Sequence, residues 1–244
     1  MPSSPDYLAL PPTTREFSDE AARSALAALS GPYLPWGAGA MRPAGLVTVC
    51  NDVVINDRRR IVELGSGIST VLLARLLHQR RRDASVPPHH ETRLVAVEHD
   101  DRWATWVTDQ LEREDLAGYV DIIHAPLAPH PTAVGGLTWY DDAVLADGLR
   151  RALRDDPIDL FLVDGPPAYT EGHGLARYPA LPVLHDRLSP GATIILDDAE
   201  RPGEQEILRR WELETGLSFD RHGPRAGIAL SQNGAEHASG PRHG

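Results

Sequence analysis

Five short apolar, β-branched runs, IVELG, RLVAVEH, YVDIIHA, IDLFLVDG and ATIILDD, follow one another from residue 61, each separated by a longer stretch with helical character. Runs that are apolar throughout, without a polar alternate face, read as strands buried on both sides. The intervening helices are expected at Thr70 to Arg81, Asp101 to Glu114, Asp141 to Arg154, Leu175 to Leu188 and Gly203 to Thr215. Such alternation predicts a parallel sheet with helices on both faces. Two further candidate strands, LSFDRH and GIALSQ, joined by the turn GPRA, predict an antiparallel pair at the sheet edge.

The N-terminal stretch to Phe17 is rich in Pro, Ser and Thr and is read as a surface segment. Ser18 then reads as the N-cap of a short helix ending near Leu29. The following PYLPWGAGAMRP carries Tyr33, Trp36 and Arg42, suited either to lining a pocket or to packing as a capped loop. The insertion DASVPPHHET separates the first helix from the second strand, and NGAEHASGPRHG reads as a disordered tail. These divisions predict an N-terminal segment, 1–57, covering the active site, one α/β domain over 58–232, and a tail over 233–244.

Composition narrows the function. All 24 basic residues are arginine, so a Walker-type lysine, a pyridoxal phosphate Schiff base and a lysine general base are excluded. A net charge of −11 opposes nucleic-acid binding through phosphates. Cys50 is the single cysteine, which fits a reducing compartment, and no apolar run is long enough for a membrane span. The expectation is a cytoplasmic protein acting on a small molecule, with room for a homodimer.

The strongest motif is Glu63-Leu-Gly65-Ser-Gly67-Ile-Ser69-Thr70, at the first strand-to-helix turn. Glycines there allow a sharp turn and close ligand approach, while the helix start offers free N–H groups. Thr70 occupies the place of the third glycine of the dinucleotide pattern, which weakens a nicotinamide reading. The second strand ends in Glu98, placed to accept hydrogen bonds from a ribose diol, and His99 follows it. A solvated strand-end acid is the alternative for Glu98.

Taken in order, E-x-G-x-G-x-S, VEHD, LVDGPP and ILDD resemble the motifs of class I S-adenosylmethionine (SAM)-dependent methyltransferases across roughly residues 60 to 232. The resemblance implies a Rossmann-like seven-stranded, mostly parallel α/β sheet with an antiparallel last strand. It also implies a SAM site built from Glu63, Gly65, Ser66, Gly67, Ser69, Glu98, His99 and Asp164, with Ala125 and Pro126 framing the adenine.

Asp164 ends the fourth strand, and Asp197 and Asp198 end the fifth. Strand ends of an open α/β sheet face one crevice, so these carboxylates converge. They suit a divalent ion such as Mg²⁺, similar to metal-dependent small-molecule O-methyltransferases. The chain departs from the catechol type, which has asparagine at the place of Asp198 and a lysine base. The alternative leaves Asp164 on cofactor or substrate, with Asp197 and Asp198 capping the next helix.

If a general base is required, His173, in the loop AYTEGHGLARYP, is the candidate, and Asp164 is the other expected catalytic residue. Arg177 and Tyr178 are expected to orient substrate, or Arg177 to pair with a carboxylate. Trp139 and Tyr140 either cover a ligand or complete the core, and Asp141 and Asp142 read as helix-start acids. The leading expectation is methyl transfer from SAM to an oxygen of a small acceptor. The rivals are an N-methyltransferase, a NAD-dependent oxidoreductase and a non-catalytic adenosyl-ligand binder.

Overall fold

A computed structural model describes residues 19–37, 39–82, 91–222 and 227–232. The N-terminal stretch to Phe17, the expected Ser18 cap, residues 83–90 of the insertion DASVPPHHET, the turn over 223–226 and the tail lie outside these residues.

The chain alternates as expected. Strands β1 (Arg60–Leu64), β2 (Arg93–Glu98), β3 (Val120–His124), β6 (Ile158–Val163) and β7 (Leu188–Leu196) are parallel and ordered β3-β2-β1-β6-β7. The edge pair is β8 (Asp220–His222) and β9 (Ile228–Gln232); β9 runs antiparallel to both β7 and β8, completing seven strands. The strands alternate between two apolar layers: Ile61, Leu160 and Leu162 pack on one face, Val62, Leu64, Phe161 and Val163 on the other. Burial on both faces is why these runs are apolar throughout.

Helix α1 (Asp19–Leu26), α2 (Pro43–Ile55), α3 (Ile68–Arg82) and α4 (Asp101–Arg113) contribute to the first layer; α5 (Asp142–Leu153), α6 (Ala180–Leu184) and α7 (Pro202–Thr215) to the second. Asp100 caps α4 by accepting from Trp103 N at 2.8 Å, and Asp141 caps α5 by accepting from Val144 N at 3.0 Å. That agrees with a helix-start role for Asp141.

Three elements differ from expectation. Helix α2, begun by Pro43 at its first turn, was not anticipated from its β-branched sequence. It is pinned by a buried network in which Arg58 donates to Asp52 at 2.8 Å and to Thr193 of β7 at 2.5 Å. A short hairpin, β4 (Leu127–Pro129) with β5 (Thr138–Tyr140), follows β3. The helix expected over Leu175 to Leu188 shrinks to α6 and a 3₁₀ turn at His185–Arg187, because residues 170–179 instead form hydrogen-bonded turns.

Candidate active site

The sheet order reverses between β1 and β6, which opens a crevice at their C-terminal ends. There Gly65 has φ +87°, and a Cβ on it would stand 3.1 Å from Gly165 N and 3.2 Å from the Asp164 carbonyl carbon. Gly165 answers it: a Cβ there would meet Gly65 Cα at 2.8 Å and Tyr140 Oη at 2.5 Å. Two glycines thus let the ends of β1 and β6 touch main chain to main chain.

The loop between β1 and α3 is held from behind. Glu63 is fully buried and accepts from Ser69 Oγ at 2.5 Å and from Thr70 Oγ1 at 2.6 Å, while Thr70 Oγ1 accepts from Gly67 N at 2.9 Å. Thr70, at the place of a third glycine, is therefore the pin that fixes the loop. Burial pushes the Glu63 carboxyl up to about 7 despite its two hydroxyl donors.

Glu98 closes the end of β2. One oxygen accepts from Ser66 N and Ser66 Oγ, both at 3.0 Å; the other accepts from His99 N at 2.8 Å and Asp100 N at 2.9 Å and lies 2.9 Å from His99 Nδ1. Burial works against the charge, but the His99, Asp100 and Ser66 donors outweigh it and hold the carboxyl below its usual range. Glu98 is thus a fixed anion at neutral pH. Trp103 donates its indole N–H to Ser66 O at 2.6 Å and stacks on Trp106 with ring centres 4.8 Å apart.

Asp164, Asp197 and Asp198 converge, each offering an oxygen within 4.8 Å of the others. Arg177 stands among them with a side chain only 4% exposed, bonding Asp164 Oδ1 at 3.2 Å and Asp198 Oδ2 at 3.0 Å. Arg201 reaches Asp198 at 2.7 Å, and Glu204 lies 3.7 Å from Arg177. Burial raises Asp164 to about 7, partly offset by Arg177 and reinforced by Asp198 and Glu63. Burial with Asp164 and Asp198 drives Asp197 well above the carboxylate range, and burial lifts Glu204 to about 7 against Arg177. For Arg177 burial opposes the charge, and the surrounding acids more than restore it.

One cavity of about 730 Å³ joins these parts, within the range of about 300–1,000 Å³ common for small-molecule sites. Gly65, Ser66, Gly67, Ser69, Glu98 and His99 line it, as do Asp164, Asp198 and Arg177. Tyr140 also lines it, fully buried, with a hydroxyl that makes no well-formed hydrogen bond among the described residues and lies near the Gly65 main chain. Burial, then Glu98, raises that hydroxyl's pKa well above its ordinary value, so it stays a phenol and a donor. Pro35, Gly37, Ala40 and Met41 from the N-terminal segment complete the wall.

Other expected residues lie elsewhere. Glu63 and Asp197 sit behind the wall, and Ala125 is buried with its N–H on Glu98 O at 2.8 Å, while Pro126 is exposed; none of the four lines the cavity. His173 is exposed, outside the lining, its Nδ1 3.2 Å from Glu171 O. Tyr178 donates to Glu214 at 2.7 Å, away from the crevice, and Trp139 is core. Tyr33, Trp36 and Arg42 line a neighbouring cavity. Asp197 and Asp198 make no helix cap, since α7 follows Arg201 without a side-chain cap. Trp103, Trp106 and Tyr169 were not singled out from the sequence; the signal for Trp103 was its place one turn beyond the acidic strand end.

A family model described as a methyltransferase domain matches residues 62–199, more than half of the chain. The chain belongs to this methyltransferase family. No curated protein matches it. Among solved structures, this methyltransferase is similar to an O-methyltransferase from Bacillus cereus in complex with SAH, at 20% identity and a TM-score of 0.51 over 93% of this chain and 94% of that one. It is likewise similar to an O-methyltransferase from Streptomyces achromogenes involved in tomaymycin synthesis, in complex with SAM, at 18% identity and a TM-score of 0.54 over 94% and 93% of the two chains. An SAH-bound methyltransferase from Podospora anserina matches at 12% identity and a TM-score of 0.52 over 87% and 84%. The class I methyltransferase resemblance and the seven-stranded fold are therefore borne out. Among the described residues no helix is long and apolar enough to cross a membrane.

Proposed function

We propose that this methyltransferase moves the methyl group of SAM to an oxygen of a small-molecule acceptor. The observation that carries the reading is the single cavity in which the pinned glycine loop, the ionised Glu98 and the near-neutral Asp164 face one another. The Bacillus and Streptomyces relatives, O-methyltransferases bound to SAH and SAM, support it.

In this reading the loop from Gly65 to Ser69 carries the methionine end of SAM, and Glu98 accepts from the ribose hydroxyls. Its Ser66 partners are displaced or shared when the ribose arrives. Tyr140 offers its buried hydroxyl from the floor. The sulfonium is already electrophilic, so the chain's share of the work is alignment, exclusion of water and removal of the acceptor's proton. Asp164, in the wall and titrating near 7, suits that last task, because a base works best when its pKa lies near the operating pH. His173 has no part, since it lies outside the cavity.

Mg²⁺ at Asp164, Asp197 and Asp198 is the finer expectation. The three carboxylates have the right hard-oxygen chemistry. The group between them, however, is the Arg177 guanidinium, bonded to two of the three. As folded, with Arg177 bonded to two of its members, the set does not fit a divalent ion. The net charge of −11 supports a small acceptor over a nucleic acid. A homodimer is compatible with the reading but is not required by it.

Titration calorimetry with SAM, SAH and NAD tests the proposal, followed by SAH-formation assays on matched hydroxyl and amine acceptors. Uptake of SAM and SAH but not NAD, with turnover on the hydroxyl members, is the expected result. Uptake of NAD instead, or turnover confined to amines, refutes it.

A further inference from the structure

We propose that Arg177 is the resident cation of the acidic centre, holding Asp164 and Asp198 in the place a divalent metal ion would take. Four carboxyl groups, Asp164, Asp197, Asp198 and Glu204, lie around it, and buried carboxylates need a positive partner. Geometry identifies the partner as Arg177. Its Nη2 bonds Asp164 at 3.2 Å, its Nη1 bonds Asp198 at 3.0 Å, and its Nε and Nη1 also donate to the carbonyls of Pro166 and Asp197, each at 3.3 Å. Four of its five N–H donors are thus satisfied in one planar arrangement, two on carboxylates and two on main chain. A divalent ion such as Mg²⁺ would instead draw its oxygens in to about 2.1 Å.

The fold builds this placement deliberately. Arg177 lies in the turn segment that displaced the expected helix, and that segment docks on the first turn of α7. At the docking point a Cβ on Gly203 would stand 2.7 Å from Gly174 Cα and still closer to Gly174 O, so only glycine allows the approach. The same contact brings Glu204 and Arg201 to the centre, where Arg201 supplies a second positive charge to Asp198 at 2.7 Å. Two guanidinium groups, Arg177 and Arg201, thus already supply positive charge within this cluster.

The inference concerns the charge at this site and stands apart from the methyl-transfer reading, so its test is binding and stability rather than turnover. Protein stripped with EDTA is titrated with Mn²⁺ by calorimetry and by loss of free-ion electron paramagnetic signal, and its SAH affinity is measured with and without chelator. The expected result is no Mn²⁺ uptake at millimolar concentration and an SAH affinity unchanged by EDTA. Saturable Mn²⁺ uptake by the wild type, or a tenfold loss of SAH affinity on chelation, overturns the proposal. If the protein binds no SAH at all, the methyl-transfer reading falls while the Mn²⁺ arm still decides this one.

In Arg177→Met the centre loses its cation. The variant is expected to bind Mn²⁺ and to be stabilised by it, gaining roughly tenfold in folding equilibrium constant at ten times the dissociation constant. The double variant Arg177→Met/Glu204→Gln keeps the three aspartates with one fewer buried acid, and serves if the single variant does not fold. A folded variant that ignores Mn²⁺ shows that Arg177 does not stand where a metal would, and refutes the proposal.

Discussion

Replacing Glu63 by glutamine separates the cost of its burial from the value of its hydrogen bonds. Glutamine keeps the shape and, with one hydroxyl rotated, both contacts to Ser69 and Thr70. What it removes is ionisation. The carboxyl is raised to about 7 from an ordinary value near 4.5, so between those pH values the folded chain holds a proton that the unfolded chain has released. Stability then falls as pH rises through this window, because folding takes up a proton. At about 1.4 kcal/mol per pH unit the full effect is about 3 kcal/mol, of which roughly 2.5 kcal/mol falls between pH 5 and 8. Urea unfolding of both proteins across that range gives the difference in unfolding free energy, in which the other titrating groups cancel. The variant is expected to gain about 2.5 kcal/mol on the wild type from pH 5 to pH 8. A difference constant to within about 0.5 kcal/mol would show that the two hydroxyl donors fully solvate the anion, and the argument from burial would be wrong.

Four further outcomes follow from the site. Glu98→Gln loses a charged acceptor, so SAH affinity should drop roughly ten- to a hundredfold by calorimetry, and an unchanged affinity would remove Glu98 from the ribose site. Gly165→Ala drives a methyl into the main chain of Gly65 and should cost about 1–3 kcal/mol in urea unfolding together with SAH binding; a wild-type melting curve contradicts the contact. Tyr140→Phe deletes a buried hydroxyl that makes no well-formed hydrogen bond among the described residues, so the ligand-free protein should be as stable or about 1 kcal/mol more stable, while SAH binding weakens; a large loss of apo stability would mean that its contact with the Gly65 main chain is a true hydrogen bond. His173→Ala should leave turnover within about twofold, and a collapse of turnover with SAH affinity intact would restore His173 as the base.

The strands were legible because a parallel sheet buried on both faces demands unbroken apolar runs, a pattern local in sequence. The glycine loop and Glu98 were legible for a similar reason, being set by a single strand end each. Helix α2 was not, because Val47, Val49, Val53 and Val54 favour strand locally and the Arg58–Asp52–Thr193 network that holds the helix spans distant residues. The β4–β5 hairpin has strands of three residues, too short for a periodic signal. Arg177 was read as either a substrate contact or a carboxylate partner; only the docking of Gly174 on Gly203 decides between them, and no local pattern encodes that contact. His173 was favoured for its chemistry and its loop, yet the same turns that bring Arg177 inward leave it facing solvent.

The meeting of Gly65 and Gly165 also limits how this enzyme can be retuned. Where these two glycines meet, the pocket bottom is made of peptide units, so that part of its shape is inherited with the sheet itself. Selection for a different acceptor must act on side chains elsewhere in the wall, such as the exposed Tyr169, which can be enlarged or trimmed without disturbing the packing beneath.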